Sequence, residues 1–228
     1  MPNLSFVGAT AGGDNTRTVN NVNAALPAGT QSGHLQSIWV SCGVLSPATP
    51  PAINTPSGWT SQGSSGTILL AGVLNVVGTL FTKIAGGTEG TENLATSGGT
   101  NAAIVFVRKS YRYPDQTTPF AQLSWIGGTG GSDTSPIVTG ITTGANNAMI
   151  DIYVTQGAAQ SITPPATMIE RADNSTVAVS SADEIIPTAG ATGSRTFTLP
   201  AATTYMWGIA EFRSEIDIVS TPIFYLRA

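Results

Sequence analysis

Cysteine and histidine occur once each, at Cys42 and His34, and charged residues make up only 10% of the 228, against ~25% in ordinary soluble domains. A single cysteine excludes an intrachain disulfide and any multi-cysteine metal site. In "IWVSCGVL" no cationic neighbour is present to activate Cys42, so it reads as a small buried strand residue. A single histidine, with no G-x-S-x-G anywhere in the chain, leaves no Ser-His-Asp arrangement to assemble. His34 is expected to be a hydrogen-bonded residue at a strand start.

Basic residues are also few. Nine Lys and Arg against thirteen Asp and Glu give a net charge of −4 with no basic run, so the electrostatic footprint of a nucleic-acid binder is missing. Long hydrophobic runs are absent too: "TILLAGVLNVVGTLF" contains Gly and Asn and falls short of a bilayer span. The N-terminus lacks a basic stretch leading into an apolar core, so no secretory signal is expected. Neither nucleic acid nor membrane is an expected partner.

What the chain does have is 26 Gly, 14 Pro and 41% hydrophobic residues, with Thr, Ser, Asn and Gln left to cover the surface. Short β-branched and aromatic runs recur between Gly, Pro and Asn, and helical periodicity is nearly absent. Strands are expected at "LSFVGAT", "HLQSIWVSC", "TILLAGVL", "LFTKIA", "AAIVFVRKS", "AQLSWIGG", "AMIDIYVTQ", "MIERADN", "TVAVSSADEI", "RTFTLP" and "TYMWGIAEFRS". The fold class is therefore all-β. In "HLQSIWVSC", Leu35, Ser37, Trp39 and Ser41 share one face and Gln36, Ile38 and Val40 the other. Neither face is purely polar, as for a central strand covered on both sides.

The order of landmarks repeats. "HLQSIWVSC", "TPSGWTSQG" and "AAIVFVRKSYR" in the first half are echoed by "AMIDIYVTQ", "TPPATMIERAD" and "YMWGIAEFRSE" in the second. Pro56 precedes Pro165 by 109 residues and Arg108 precedes Arg213 by 105. Two arrangements fit: tandem small sandwiches, or one sandwich whose two sheets come from the two halves. The expected architecture is the second, a single antiparallel β-sandwich of jelly-roll type over residues 1–213, with pseudo-repeats at about 20–110 and 136–213. Within it Pro56 and Gly58 make a turn, and Trp59 plugs the end of the sandwich as a strand begins. Pro165 and Met168 repeat that pattern.

Candidate chemistry is sparse. The carboxylate pairs Glu89/Glu92, Glu170/Asp173 and Asp183/Glu184 invite comparison with a glycosidase, but each falls in a Gly-rich loop or at a strand end, where solvated charge is the default. Asp183 and Glu184, adjacent on a strand, point to opposite faces. Asp14 and Asp133 lie in loops without the dense acidic spacing of a calcium site, and an Asx-turn explains both. "GGTGGS" has neither the lysine nor the helix of a phosphate loop. No catalytic set, metal or cofactor is expected. Tyr111, Tyr113 and Trp125 are the aromatics near loops that are available for surface or glycan contacts, with core or subunit-contact packing the leading expectation for each.

The strings "LPAGTQSGHLQSIWV…TPSGWT…LFTKIAGGTEGT" and "PPATMIERAD…ADEIIPTAGATGSRTFTL" resemble a broad group of phage and prophage virion proteins. Their β-sandwich modules occur in head-decoration, head-spike, tail-tip and fibre proteins. The likeness spans most of residues 20–213, although His34 replaces the usual Asp and Ser57 interrupts the Pro-Pro or Pro-Ala before Gly58. It implies a non-enzymatic virion component assembled in the host cytoplasm. A capsid decoration protein packing on the major capsid protein or on copies of itself is the leading expectation. A tail-tip, fibre or head-spike module binding host glycan is the alternative. The extension 214–228 ends in an apolar stretch, Ile223, Phe224, Tyr225 and Leu226, expected to pack on its own domain or a neighbouring subunit.

Overall fold

The computed structural model describes residues 3–127 and 133–215, with backbone alone for 125–127. The Ile223–Leu226 stretch lies outside the described residues. The first half contains β1 (Ser5–Val19), β2 (Asn21–Ala24), β3 (Leu35–Leu45), β4 (Thr60–Ser64), β5 (Ile68–Leu70), β6 (Leu74–Ile84), β7 (Glu92–Ala95) and β8 (Ala102–Arg112). The second contains β9 (Phe120–Gly127), β10 (Ile137–Val138), β11 (Thr142–Thr143), β12 (Ala148–Gln156), β13 (Ile169–Asn174), β14 (Val179–Ile186), β15 (Gly190–Ala191), β16 (Arg195–Thr196) and β17 (Tyr205–Phe212). All pairings are antiparallel, so the chain is an all-β sandwich.

Each half builds one large sheet. The first has the order β1-β8-β3-β6-β4, with β5 also on β6, and the second the order β9-β17-β12-β14-β13. The two orders match position for position: first strand, last strand, then the long strand that follows the opening turn. Even the short outer pairs correspond, β2 with β7 and β10 with β16, as do the bridges Ile53–Thr96 and Thr163–Thr198. A single jelly roll would interleave its strands between two sheets. Here each sheet is completed before the next begins, which departs from the jelly-roll connectivity expected of one shared sandwich.

The large sheets pack face to face, and each is covered on its outer face by its own loops and short strands. The inner layer holds Leu35, Trp39, Val105, Val107 and Tyr111 from one sheet and Met149, Tyr153, Met206, Ala210 and Phe212 from the other. Outside the first sheet Ile38, Val40, Phe81, Ile104 and Phe106 meet Trp59 and Leu94. Outside the second, Ile150, Ile152, Val154 and Ile209 meet Val138, Met168 and Phe197. Central strands thus bury both faces, which explains their nearly unbroken apolar runs.

Trp39 and Tyr153 stack at 5.2 Å with rings 1° from parallel. They occupy equivalent places, Trp39 opposite Val107 and Tyr153 opposite Gly208, so the molecule's approximate twofold passes between them. The same registers align Tyr111 with Phe212 and Arg112 with Arg213. Arg112, rather than Arg108, is therefore the counterpart of Arg213.

The stretch "TILLAGVL" is not one strand. Ala71 and Gly72 adopt φ of 51° and 70°, a left-handed pair that forms a tight hairpin turn between β5 and β6. The amide of Ala71 is held by Thr204 Oγ1 at 2.6 Å, tying this tip to the other half.

Candidate functional site

Trp59 is 6% exposed, and its amide donates to Pro56 O at 3.1 Å. Gly58 sits at φ 77°, a conformation that favours glycine. Met168 repeats the turn, donating to Pro165 O at 2.9 Å, and is likewise 6% exposed. The indole of Trp59 lies under two cations, Lys83 Nζ at 4.8 Å and the Arg108 guanidinium at 5.5 Å. Lys83 is paired to Glu89 at 2.5 Å and Glu92 at 2.8 Å. Arg108, fully buried, donates to Gln36 Oε1 and to the carbonyls of Ala24 and Gly90. Glu89 and Glu92 are thus structural anchors for these cations. Burial acts to raise the Glu89 carboxyl, but the Lys83 hydrogen bond and the Gly86 amide together outweigh it and hold the group below its usual range.

The remaining carboxylates are dispersed. Asp183 faces the inter-sheet layer and is bound by Arg171 Nε at 2.8 Å, whereas Glu184 faces outward and is bound by Arg195 Nε at 2.6 Å. Glu170 and Asp173 lie on β13, and burial raises both carboxyls. Asp14, which lies within β1 opposite Ile104 rather than in a loop, accepts the amide of Thr16 at 2.7 Å, and Asp133 accepts that of Ser135 at 2.8 Å, both local side-chain-to-backbone bonds. Among the described residues no group of three His, Cys, Asp or Glu is placed to hold a metal ion. Cys42 is buried, and burial pushes its thiol up to about 12.

Tyr111 does not serve as a surface contact. It is fully buried between the sheets, because inward-facing positions on β8 alternate through Val105, Val107, Lys109 and Tyr111. Tyr113 is 43% exposed despite sharing that parity, since its φ of 63° turns the chain out of the strand. Such a conformation costs a non-glycine residue roughly 1–3 kcal/mol. The Tyr113 ring carries the Arg112 guanidinium at 5.5 Å and lines a cleft of about 400 Å³ with Gln31, Ser32, His34, Gln116 and Glu215. His34 Nδ1 accepts the Gln31 amide at 3.2 Å. Burial, then the Arg112 charge, lowers its pKa and favours the neutral ring. Trp125 belongs to β9, but its side chain lies outside the described residues.

The densest chemistry is a buried group that no local motif announces. Lys109 Nζ meets Asp151 Oδ1 with both side chains at 0% exposure, and the ammonium sits 4.1 Å from the Tyr153 ring centroid. Tyr111 Oη lies 3.0 Å from Asp151 Oδ2 and 3.0 Å from Asp183 Oδ2. Tyr153 Oη donates to Ser37 Oγ at 3.0 Å, and Ser41 and Thr155 share a hydrogen bond at 2.7 Å. Burial pushes Lys109 down, with Asp151 and Asp183 opposing it, and pushes Asp151 up against the pull of Lys109. The signal available in the sequence was charge inside apolar strands: Arg108 and Lys109 closing "AAIVFVRKS" and Asp151 within "AMIDIYV".

No family model, curated protein or solved structure matches the chain.

Proposed function

We propose that this protein is a structural component of a phage virion, a decoration protein that packs on the capsid shell or on copies of itself. The observation that carries the reading is the use made of the residues behind the virion resemblance. Pro27 and Thr30 close a turn at 2.7 Å through the Thr30 hydroxyl, Pro56–Trp59 and Pro165–Met168 close two more, and Trp59 and Met168 fill the two outer cores. The shared residues close turns and fill the outer cores, so they serve packing rather than chemistry, as suits an assembly subunit.

One end of the first sheet supports a packing role. Leu45 at the end of β3, Leu69 on β5 and Val73 in the turn between β5 and β6 are 53%, 41% and 57% exposed, and Ser46 N donates to Val73 O at 2.9 Å. Large side chains exposed together on a pinned hairpin suit burial against a neighbour. Imaging of particles carrying the protein tests the proposal: density at capsid symmetry positions is expected, lost in a Leu69→Asp/Val73→Asp variant that still folds. Density confined to the tail would overturn it.

The second reading, a module binding host surface glycan, is favoured by the Arg112–Tyr113–His34 cleft. An aromatic face with neighbouring amides and a guanidinium suits a sugar ring. Saturable binding to host polysaccharide, lost in Tyr113→Ala, is its expected sign; no binding across a host glycan panel would refute it.

A further inference from the structure

We propose that Lys109 and Asp151 condense to an intramolecular amide that covalently joins the two large sheets. Lys109 lies on β8 of the first half and Asp151 on β12 of the second, in contact and sealed from solvent. With the Lys109 nitrogen against Asp151 Oδ1, the carboxyl carbon is one bond away. Folding holds the two reactants together far more effectively than any solution concentration could.

The environment suits the neutral partners. Burial disfavours both charges, so the ammonium proton can pass to the carboxylate within the pair, leaving an amine and a carboxylic acid with no change in net charge. A desolvated lysine is a competent nucleophile. The first ammonium proton passes to Oδ1, the oxygen in contact with it. The amine adds to Asp151 Cγ and forms the C–N bond, and the charge this leaves on Oδ2 is steadied by the Tyr111 hydroxyl 3.0 Å away. Nitrogen passes a second proton to the adjoining Oδ1; the C–Oδ1 bond breaks, Oδ1 departs as water, and Oδ2 becomes the amide oxygen while Tyr111 keeps its own proton. One amine and one acid give one amide and one water, without oxidant or cofactor. The dry interior then protects the product from hydrolysis.

Hydrogen-bond counting favours the product. Tyr111 has one hydroxyl hydrogen but stands equidistant from two carboxylate oxygens, so two ionised aspartates leave one oxygen facing a lone pair. In the amide the remaining Asp151 oxygen is a neutral carbonyl rather than a carboxylate, which eases that conflict and lets the Tyr111 hydrogen serve Asp183. Arg171 continues to pair with Asp183 at 2.8 Å. The product therefore exchanges a costly buried ion pair for a neutral amide and leaves the adjoining salt bridge intact.

The test is intact mass spectrometry of the folded full-length chain. The expected mass is one water below that of the sequence, with proteolysis releasing a branched peptide that joins the Lys109 and Asp151 segments. Lys109→Met should restore the full mass. Tyr111→Phe, which keeps the ring and removes only the hydroxyl, should leave a folded chain wholly or largely unlinked, an effect that merely filling space would not produce. A wild-type chain at full sequence mass overturns the proposal whether or not the variants fold, and so does a water loss that persists in Lys109→Met. Complete linkage in Tyr111→Phe overturns the role given to the hydroxyl.

Discussion

Replacing Trp59 by alanine tests whether the outer core of the first sheet depends on this ring. The side chain is 6% exposed and packs with Ile38, Val40, Phe81 and Phe106, a setting in which Trp→Ala removes about 3–5 kcal/mol. Loss of the ring face beneath Lys83 and Arg108 adds roughly 0.5–2 kcal/mol. One term runs the other way: the indole N–H is buried without a partner among the described residues, and deleting it relieves about 1–3 kcal/mol. The net expectation remains about 3–5 kcal/mol, equivalent to a Tm drop of roughly 6–20 °C for a chain of this size. Trp59→Phe separates the terms, because it keeps a ring under the cations and removes the orphan donor; it should cost no more than about 1–2 kcal/mol. Guanidinium unfolding followed by circular dichroism measures both. A Trp59→Ala loss below about 1 kcal/mol, or equal losses in the two variants, would refute a core role for the ring.

Two further outcomes follow from buried groups. Cys42, its thiol raised to about 12 by burial, should resist thiol reagents at mildly alkaline pH in the native protein and react once unfolded; rapid native labelling would contradict its placement. The amides of Thr118 and Thr117, both 2.8 Å away, hold the Asp115 carboxyl below its usual value, with burial opposing. A depressed carboxylate pKa stabilises the fold above the unfolded value of about 3.9, and the benefit is lost as pH falls through the folded pKa. Asp115→Asn should therefore destabilise at neutral pH by about 1–3 kcal/mol, with the difference from wild type shrinking in acid; a pH-independent difference would falsify the assignment.

Local chemistry made much of the fold legible. The alternation of Leu35, Ser37 and Trp39 against Gln36, Ile38 and Val40 matches the faces they occupy, and the Pro-x-x-apolar repeat marks two equivalent turns. The Ala71–Gly72 turn was hidden because an alanine in a left-handed conformation has no sequence signature; Thr204, 133 residues away, helps to hold it. Tyr111 and Tyr113 resembled a surface pair because nothing in "SYRYP" shows that one ends the strand buried and the next is turned outward. Lys109 and Asp151 were missed for a related reason. They lie on different halves, and their encounter depends on how two sheets face each other.

That encounter occurs once in a molecule whose halves otherwise match. By register Lys109 corresponds to Ala210 and Asp151 to Ser37, so the first half supplies only the cation and the second only the anion. Two first halves facing each other would bury two unmatched lysines, and two second halves would bury unmatched aspartates. The pair therefore favours first-with-second packing over either self-pairing, a specificity purchased through repulsive alternatives. The prediction is quantitative. Lys109→Ala alone strands a buried carboxylate and should cost about 3–5 kcal/mol. Lys109→Ala with Asp151→Ser places the counterpart residues at both positions and removes the stranded charge. The double variant should then be more stable than Lys109→Ala alone, by an amount that chemical denaturation can resolve. Additive losses would mean that the two groups do not meet in the folded protein.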